Sequence, residues 1–425
     1  MGRLFTYALT AFLIGIGLHS IYPWMRVPTD IWIGVACAFA FGIMCARERP
    51  RFFIVLVLVA ACILGVWRFD VVPRDEVARA MHFSVPKRPS SRIFVELAAW
   101  RTALTARIGQ ALPREEATLA TGMLYGDQEL SRDQRDLLRR SGLLHLVAVS
   151  GANVTIIVNV LLGVILAFRF HRRHAFWIVS AGILAFLGFV GFSASVVRAG
   201  IMGWLVLLAR HRGRIPTSSR VLLIAGSVMT FLTPTLLLFD RGFGLSFLAT
   251  WGLLAWSPIF ERAFAKLPNL LSLRNAAATT FAATLMTLPY LAWAFGRMSL
   301  AGLFTNLLAL PLVPWIMLWT ALVAAVGTLP GSVIIRLPTY GLVHLLLRIA
   351  HLADIFPWLD LRIPSMDLLS LVAVYLLLLK IWLLCREKTG LSTGSSLYFD
   401  IYCKRISEHI ANVAKHFPYI AKRKP

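Results

Sequence analysis

The chain is poor in charge, poorer still in carboxylates, and short of cysteine. Only 15% of its 425 residues are Asp, Glu, Lys or Arg, and 58% are hydrophobic, whereas soluble domains are roughly 25% charged and 45–50% apolar. This composition excludes an ordinary water-soluble fold and points to an integral membrane protein. The five cysteines make no disulfide framework: Cys37, Cys45 and Cys62 fall inside apolar runs, and Cys385 at the end of one. No Cys-x-x-Cys or Cys/His spacing suited to zinc is present. His-x-His-x-Asp-His, His-Glu-x-x-His, Walker A and Gly-x-Ser-x-Gly sequences are also missing, so no motif supports hydrolytic or nucleotide-driven chemistry. No catalytic residue, metal site or cofactor is expected, and the chain is not expected to be an enzyme.

Alternating strand-length segments are lacking too, while long continuous apolar runs abound. Backbone groups in lipid must be satisfied internally, which leaves helices or a closed barrel. Without the barrel's alternation, helices are expected. The predicted fold is all-α, a polytopic integral membrane helical bundle of about twelve spans, with an amphipathic interfacial helix and broken helices in its core. The spans lie near residues 7–24, 31–46, 52–67, 141–168, 175–192, 196–211, 220–239, 242–260, 276–295, 299–328, 331–353 and 366–385. The first resembles a signal peptide, but it shows no small-x-small cleavage site and more spans follow, so an uncleaved span is expected. Four regions follow: N-terminal transmembrane helices (1–67), a short extracytoplasmic region with an amphipathic helix (68–118), a transmembrane channel domain (119–385) and a basic cytoplasmic tail (386–425).

Scarce carboxylates leave the chain strongly basic, with 43 Lys and Arg against 20 Asp and Glu, a formal charge of +23. Two causes compete, positive-inside topology and a polyanionic partner. The basic loops around 47–51, 169–174, 210–214 and 261–275 fall on one side together with the N-terminus and the tail. The opposite short loops carry little beyond Arg26, Arg241, Arg297 and Arg362. Both termini are therefore predicted to be cytoplasmic. Residues 92–112 place Ile93, Leu97, Trp100, Leu104 and Ile108 at helical spacing opposite Arg101 and Arg107. That pattern suits either the membrane surface or a protein surface.

Two apolar segments are wrong for simple spans. Residues 141–168 are overlong and interrupted at Ser150-Gly151, and they contain His145, Asn153 and Asn159. Residues 299–328 contain Asn306, Pro311 and Pro314. Broken helices at membrane depth are tolerated when buried in protein or lining an aqueous cavity, and in transporters they mark the binding path. Ser150 and Asn153 share a helical face. His145 does not share it, but a break at Ser150-Gly151 would bring it near. Arg198, the Asp240-Arg241 pair and Ser246 are further polar groups in apolar surroundings. They mark either a pathway or interhelical hydrogen bonds and local ion pairs. His344, His351 and Asp354 share one face of a helix, without a fourth group to complete a metal site.

Several stretches together resemble the ComEC/Rec2 family, polytopic channels through which bacteria import single-stranded DNA during natural transformation. They are "LPREEATLATGMLYGDQELSRDQRDLLRRSGLLHLVAVSGANVTII", "GFSASVVRAGIMGWL", "DRGFGLSFLATWGLL" and "FGRMSLAGLFTNLLALPLVPW", in the family's order over about residues 112–385. The resemblance implies a DNA pathway across the cytoplasmic membrane lined by His145, Ser150, Gly151, Asn153, Arg198, Ser246 and Asn306. Gly126, Asp127, Asp240, Gly242, Phe243, Leu245 and Pro311 match structural positions of its motifs. Where the family often has a second histidine after Ser-Gly, this chain has Asn153, which cannot take up a proton as imidazole does.

Many family members also carry an outer OB-like domain and a metallo-β-lactamase-like domain. Residues 68–91 and 386–425 are too short for these, so a channel core is expected. The implied partners are single-stranded DNA, membrane lipids, DNA-receptor, motor and nuclease proteins in other chains, and further copies of the chain in a homo-oligomer. Rival readings are a secondary transporter or small-solute permease of similar broken-helix design, and a membrane scaffold whose basic tail recruits a partner.

Overall fold

The computed structural model describes residues 2–21, 23, 26–46, 50–74, 76–77, 92–126, 130–147, 172–190, 194–212, 217–265, 273–327, 329, 331–363 and 366–389. The helices among them are α1 (Gly2–Ile21), α2 (Thr29–Ala46), α3 (Pro50–Asp70), α4 (Arg92–Ala111), α5 (Arg114–Tyr125), α6 (Arg132–Arg140) and α7 (Leu144–Val147). They continue with α8 (Arg172–Val190), α9 (Ala194–His211), α10 (Ser218–Leu232), α11 (Leu236–Phe239), α12 (Arg241–Ala263) and α13 (Leu273–Phe295). The last are α14 (Gly302–Ala309), α15 (Val313–Val326), α16 (Val333–Ile355) and α17 (Leu368–Thr389). Two three-residue strands, β1 (Arg297–Ser299) and β2 (Asp360–Arg362), pair antiparallel, with Met298 opposite Leu361.

The protein is an all-α polytopic membrane protein. Five of the described helices are long and apolar enough to cross a bilayer: α1, α3, α12, α16 and α17. The pair α14–α15 passes the same test together but bends by 54°. Helices α8, α9 and α10 contain shorter apolar stretches. The predicted break within 299–328 is therefore observed. It lies at Leu310–Leu312, where Pro311 lacks the N–H that would continue the helix. Pro314 sits in the first turn of α15, where a missing N–H costs nothing.

The expected span near 220–239 is corrected to two pieces, α10 and the single turn α11. Thr233 leaves the helical conformation, with φ −135 and ψ 89, because the residue before a proline is driven out of the α region. Here that proline is Pro234.

Among the described residues, α8 and α9 bury Val179, Ile183, Leu187 and Val196 between them, and three further packing units position the rest. In the first, α1 and α3 cross at backbone contact: a Cβ on Gly15 or Gly65 would collide with the carbonyl oxygen of Cys62 or Phe12. At the end of α3, the buried Asp70 carboxylate accepts from Trp32 Nε1 at 3.1 Å and from the Val27 amide at 3.3 Å. His19 Nε2 lies 3.3 Å and Arg26 Nη1 3.8 Å from it. Arg68 donates to the carbonyls of Phe231 and Leu232 at 2.6 and 2.9 Å. These orphan acceptors at the end of α10 tie the unit to the rest of the chain.

In the second unit, α4–α7 and α14–α16 share one core, with Ile108, Tyr125, Leu138, Leu143, Ile316 and Leu346 all buried. Leu104 and Ile108 of α4 thus face protein, while Trp100 turns outward with 70% exposure. Leu97 is half-buried near Gly188 of α8, so of the described residues of this apolar face Trp100 is the exposed one. In the third, α12 and α13 bury Trp256, Ala282 and Met286. Helix α17 is pinned to them by Tyr375 Oη to the Met286 carbonyl, 2.8 Å, and Trp382 Nε1 to the Ala255 carbonyl, 3.0 Å.

Candidate functional site

Two sequence-distant oddities meet. Helix α6 opens with a capping box between Ser131 and Gln134 and closes with Gly142 at φ +71. The Leu143 amide donates to the Leu138 carbonyl at 2.8 Å and the Gly142 amide to the Arg139 carbonyl at 3.1 Å, the Schellman pattern that requires a left-handed residue at this position. The turn delivers Ser141 and Gly142 onto the start of α14. A Cβ on Gly142 would stand 2.7 Å from the Cα of Gly302. Thr305 Oγ1 donates to the Ser141 carbonyl at 2.6 Å and Ser299 Oγ to the Arg140 carbonyl at 2.5 Å. The first overlong segment is thus anchored on the first half of the bent pair α14–α15.

His145 lies on the single turn α7 just beyond this joint. It is exposed, and its Nδ1 is 2.9 Å from the Gly142 carbonyl oxygen. Asn306 is on α14, one turn before the break. Its Oδ1 is enclosed without a hydrogen-bond partner among the described residues. Pro311 is exposed within the break. Ser150, Gly151, Asn153 and Asp127 lie outside the described residues.

A second cluster forms between α9 and α12. Arg198 is only 8% exposed. Its Nε donates to Ser246 Oγ at 2.6 Å and its Nη1 to Thr250 Oγ1 at 2.8 Å. Met202 Sδ lies 3.5 Å from Nη1, and the Phe247 ring centroid 5.8 Å from Cζ. Ser246 and Thr250 are one turn apart on α12, so both hydroxyls face α9, and the Thr250 hydroxyl donates to the Ser246 carbonyl at 2.8 Å. Among the described residues, no carboxylate lies within ion-pair distance of Arg198. Hydroxyls accept from two of its nitrogens, and among the described residues no anion compensates its charge.

The other described motif residues lie in and around helix ends. Asp240 caps α12, its carboxylate accepting from the Phe243 amide at 2.8 Å, a favourable position for an anion at a helix start. Gly242 is exposed beside that carboxylate and Leu245 is half-buried one turn further on. Phe243 is buried and stacks on Phe247, with centroids 4.3 Å apart. Gly126 ends α5 at φ 77, its amide donating to the Gly122 carbonyl.

Arg198 and Ser246, both conspicuous in the sequence, prove to be partners. His145 and Arg198 share no hydrogen-bond partner among the described residues. Thr250 and Thr305 were missed; Thr250 was detectable as the residue one turn after Ser246. His344 and His351 have different carboxylate partners, Glu116 at 3.1 Å and Asp354 at 3.0 Å. Among the described residues, no three His, Cys, Asp or Glu side chains converge on one point.

A family model described as "Competence protein" matches residues 123–388. A curated relative, "ComE operon protein 3" of Bacillus subtilis (strain 168), is 26% identical over 256 residues. The match takes in 59% of this chain but only 30% of the relative's length. No solved structure matches the chain.

Proposed function

Because the chain belongs to the competence protein family, we propose that it is the channel core through which single-stranded DNA crosses the bacterial cytoplasmic membrane during natural transformation. The observation that carries this reading is Arg198, a guanidinium buried between apolar helices, held by two hydroxyls and given no carboxylate among the described residues. A buried charge is costly unless something compensates it, and ionisable groups within membrane bundles face the interior or a water-filled path. A passing phosphodiester supplies the missing anion, and the hydroxyls of Ser246 and Thr250 keep the guanidinium in place between passages. A carboxylate in their position would hold the cation too firmly for repeated exchange.

The joint at Gly142 and Gly302 supports the same reading. It sets Ser141 and Gly142, at the start of the first irregular stretch, against the bent pair α14–α15. His145, Ser150, Gly151, Asn153 and Asn306 join Arg198 and Ser246 as path residues in this proposal. Gly126, Asp127, Asp240, Gly242, Phe243, Leu245 and Pro311 shape the helices around them. Regions 1–67, 68–118, 119–385 and 386–425 act as membrane anchor, outer region, channel and basic tail, with both termini cytoplasmic. The chain works without enzymatic chemistry of its own. A DNA receptor, a motor and a nuclease act from other chains, and lipids and further copies of this chain surround it.

The test is nuclease protection of labelled single-stranded DNA by proteoliposomes containing the purified chain, with a driving gradient and a motor-bearing extract supplied. Wild-type vesicles are expected to protect DNA, and a His145→Ala, Arg198→Ala variant that remains folded is expected to lose protection. Undiminished protection by that variant overturns the assignment of the path. Uptake of small solutes in place of DNA moves the chain to a permease.

A further inference from the structure

Helix α16 divides its surface into three parts. Thr339, Val343, Leu346 and Ala350 are buried against the core. Ile334, Leu345 and Leu352 form an exposed apolar row suited to lipid. Between them runs a polar flank at one-turn spacing, Tyr340, His344 and Arg348, with His351 beside it. Successive rungs rise by about 6 Å. The Tyr340 and His344 rings are stacked, 25° apart in plane with centroids at 5.3 Å. Arg348 Nε donates to His344 Nε2 at 3.3 Å. On the other side of the ring, His344 Nδ1 lies 3.1 Å from the buried Glu116 carboxylate. The relay fixes the imidazole but leaves the Arg348 terminal nitrogens unbonded among the described residues. Arg348 is exposed and has no carboxylate within ion-pair distance there.

Past the C-terminal end of this flank lies a cavity of about 540 Å³ lined by Arg140, Ala353, Asp354, Phe356, Pro357 and Asp360, reached from His351 through its 3.0 Å contact with Asp354. Arg140 is also a wall of an adjoining cavity of about 260 Å³, with Asp133, Asp136 and Arg297. Arg140 and Asp354 pair at 3.2 Å while both are largely accessible. An exposed pair of this kind is weak, and a phosphate oxygen can take the carboxylate's place on Arg140. An arginine on the flank of a membrane-crossing helix is costly in lipid and faces an aqueous path.

We infer that the Tyr340–His344–Arg348 flank of α16 is a binding track for the sugar-phosphate backbone of a single DNA strand, entered through the cavity at Arg140. The inference rests on the conduit reading and adds a second wall to it. Arg348 takes a phosphate, and the flat Tyr340–His344 pair offers sequence-tolerant contact to bases or sugars, the combination used for single strands. Mixed charge at the mouth keeps the hold weak enough for the strand to move on.

The experiment measures binding of a fluorescent thymidine oligonucleotide to the full chain in nanodiscs of neutral lipid, across a salt series. The variants are Arg348→Gln, Arg348→Lys and, as a control of equal charge change on the exposed side of α4, Arg107→Gln. The track predicts that Arg348→Gln weakens binding roughly fivefold and lowers the salt slope by about 0.7, one released counterion on a single strand. Arg348→Lys should restore most of the slope, and Arg107→Gln should change neither quantity. Equal effects of Arg348→Gln and Arg107→Gln would mean that overall basicity alone is read, and would overturn the track. So would wild-type binding that ignores Arg348, the result expected if this arginine reaches lipid headgroups instead. In both cases binding that still depends on Arg198 leaves the conduit standing. No binding by the wild type overturns conduit and track together.

Discussion

Gly142→Ala tests the joint between the two irregular segments, and its cost can be worked out from two separate terms. The residue has φ +71, a left-handed conformation that costs an L-residue about 1–2 kcal/mol. Its new Cβ would also stand 2.7 Å from the backbone of Gly302. Backbone cannot swing aside as a flexible side chain can, so overpacking adds about 1–3 kcal/mol. The sum is about 2–5 kcal/mol. Gly331 provides the control: it has φ +82, and a Cβ there would meet nothing within 4 Å, so Gly331→Ala should lose only the first term, about 1–2 kcal/mol. Both variants would be unfolded by denaturing detergent in the same mixed micelles and their midpoints compared with the wild type. The difference between them isolates the contact with Gly302. Equal losses would refute the close approach of the two segments. Cysteines at Arg140 and Ser299 would provide an independent reading, since their crosslinking by a short reagent should fall in Gly142→Ala and persist in Gly331→Ala.

Ser246→Ala leaves the buried Nε of Arg198 without its acceptor, and should destabilise the protein by about 1–3 kcal/mol, whereas Ser246→Thr retains a hydroxyl and should recover most of the loss in the same unfolding assay. Asp70→Ala removes the acceptor shared by Trp32 and the Val27 amide, leaves Arg26 with the Val72 carbonyl alone and takes away the carboxylate beside His19. It should cost about 3 kcal/mol, the lower end for a broken buried pair because Arg26 is partly exposed, and its protease sensitivity should rise first at residues 23–28. Arg68→Ala uncaps two carbonyls at the end of α10, an expected loss of about 1 kcal/mol, measured as faster amide exchange at Phe231 to Thr233.

The helices were legible wherever one local cause sufficed. Continuous apolar runs gave α1, α3, α12, α16 and α17, and Pro311 gave the bend between α14 and α15. The end of α10 was equally local, since Pro234 stands in the sequence, but apolar residues on both sides concealed the break under a window as wide as a bilayer. Trp100 falls on the apolar stripe of α4 yet outside its packing face, because periodicity reports a stripe without saying where a partner helix stops covering it. Tertiary contacts were less accessible. Arg198 and Ser246 each stood out as polar groups in apolar surroundings, yet only folding shows that one serves the other. Nothing local links Gly142 to Gly302; a glycine at a helix end already satisfies the Schellman turn, so its second role as a point of backbone contact is hidden. The flank of α16 was half visible. His344 and His351 stood out as possible ligands of a metal, whereas the one-turn ladder of Tyr340, His344 and Arg348 was not read from the sequence.

The central claim is that a DNA strand passes Arg198 and the hydroxyls that hold it. The most direct measurement places a photo-crosslinking amino acid at Thr250, beside that guanidinium, and at Leu369, which is 77% exposed on the apolar surface of α17. Each variant is reconstituted with a strand whose trailing end carries a bulky protein, so that transport stalls part-way. The account predicts a DNA adduct at position 250 that depends on the driving gradient, and none at position 369. Adducts at neither position, or at both alike, would contradict it.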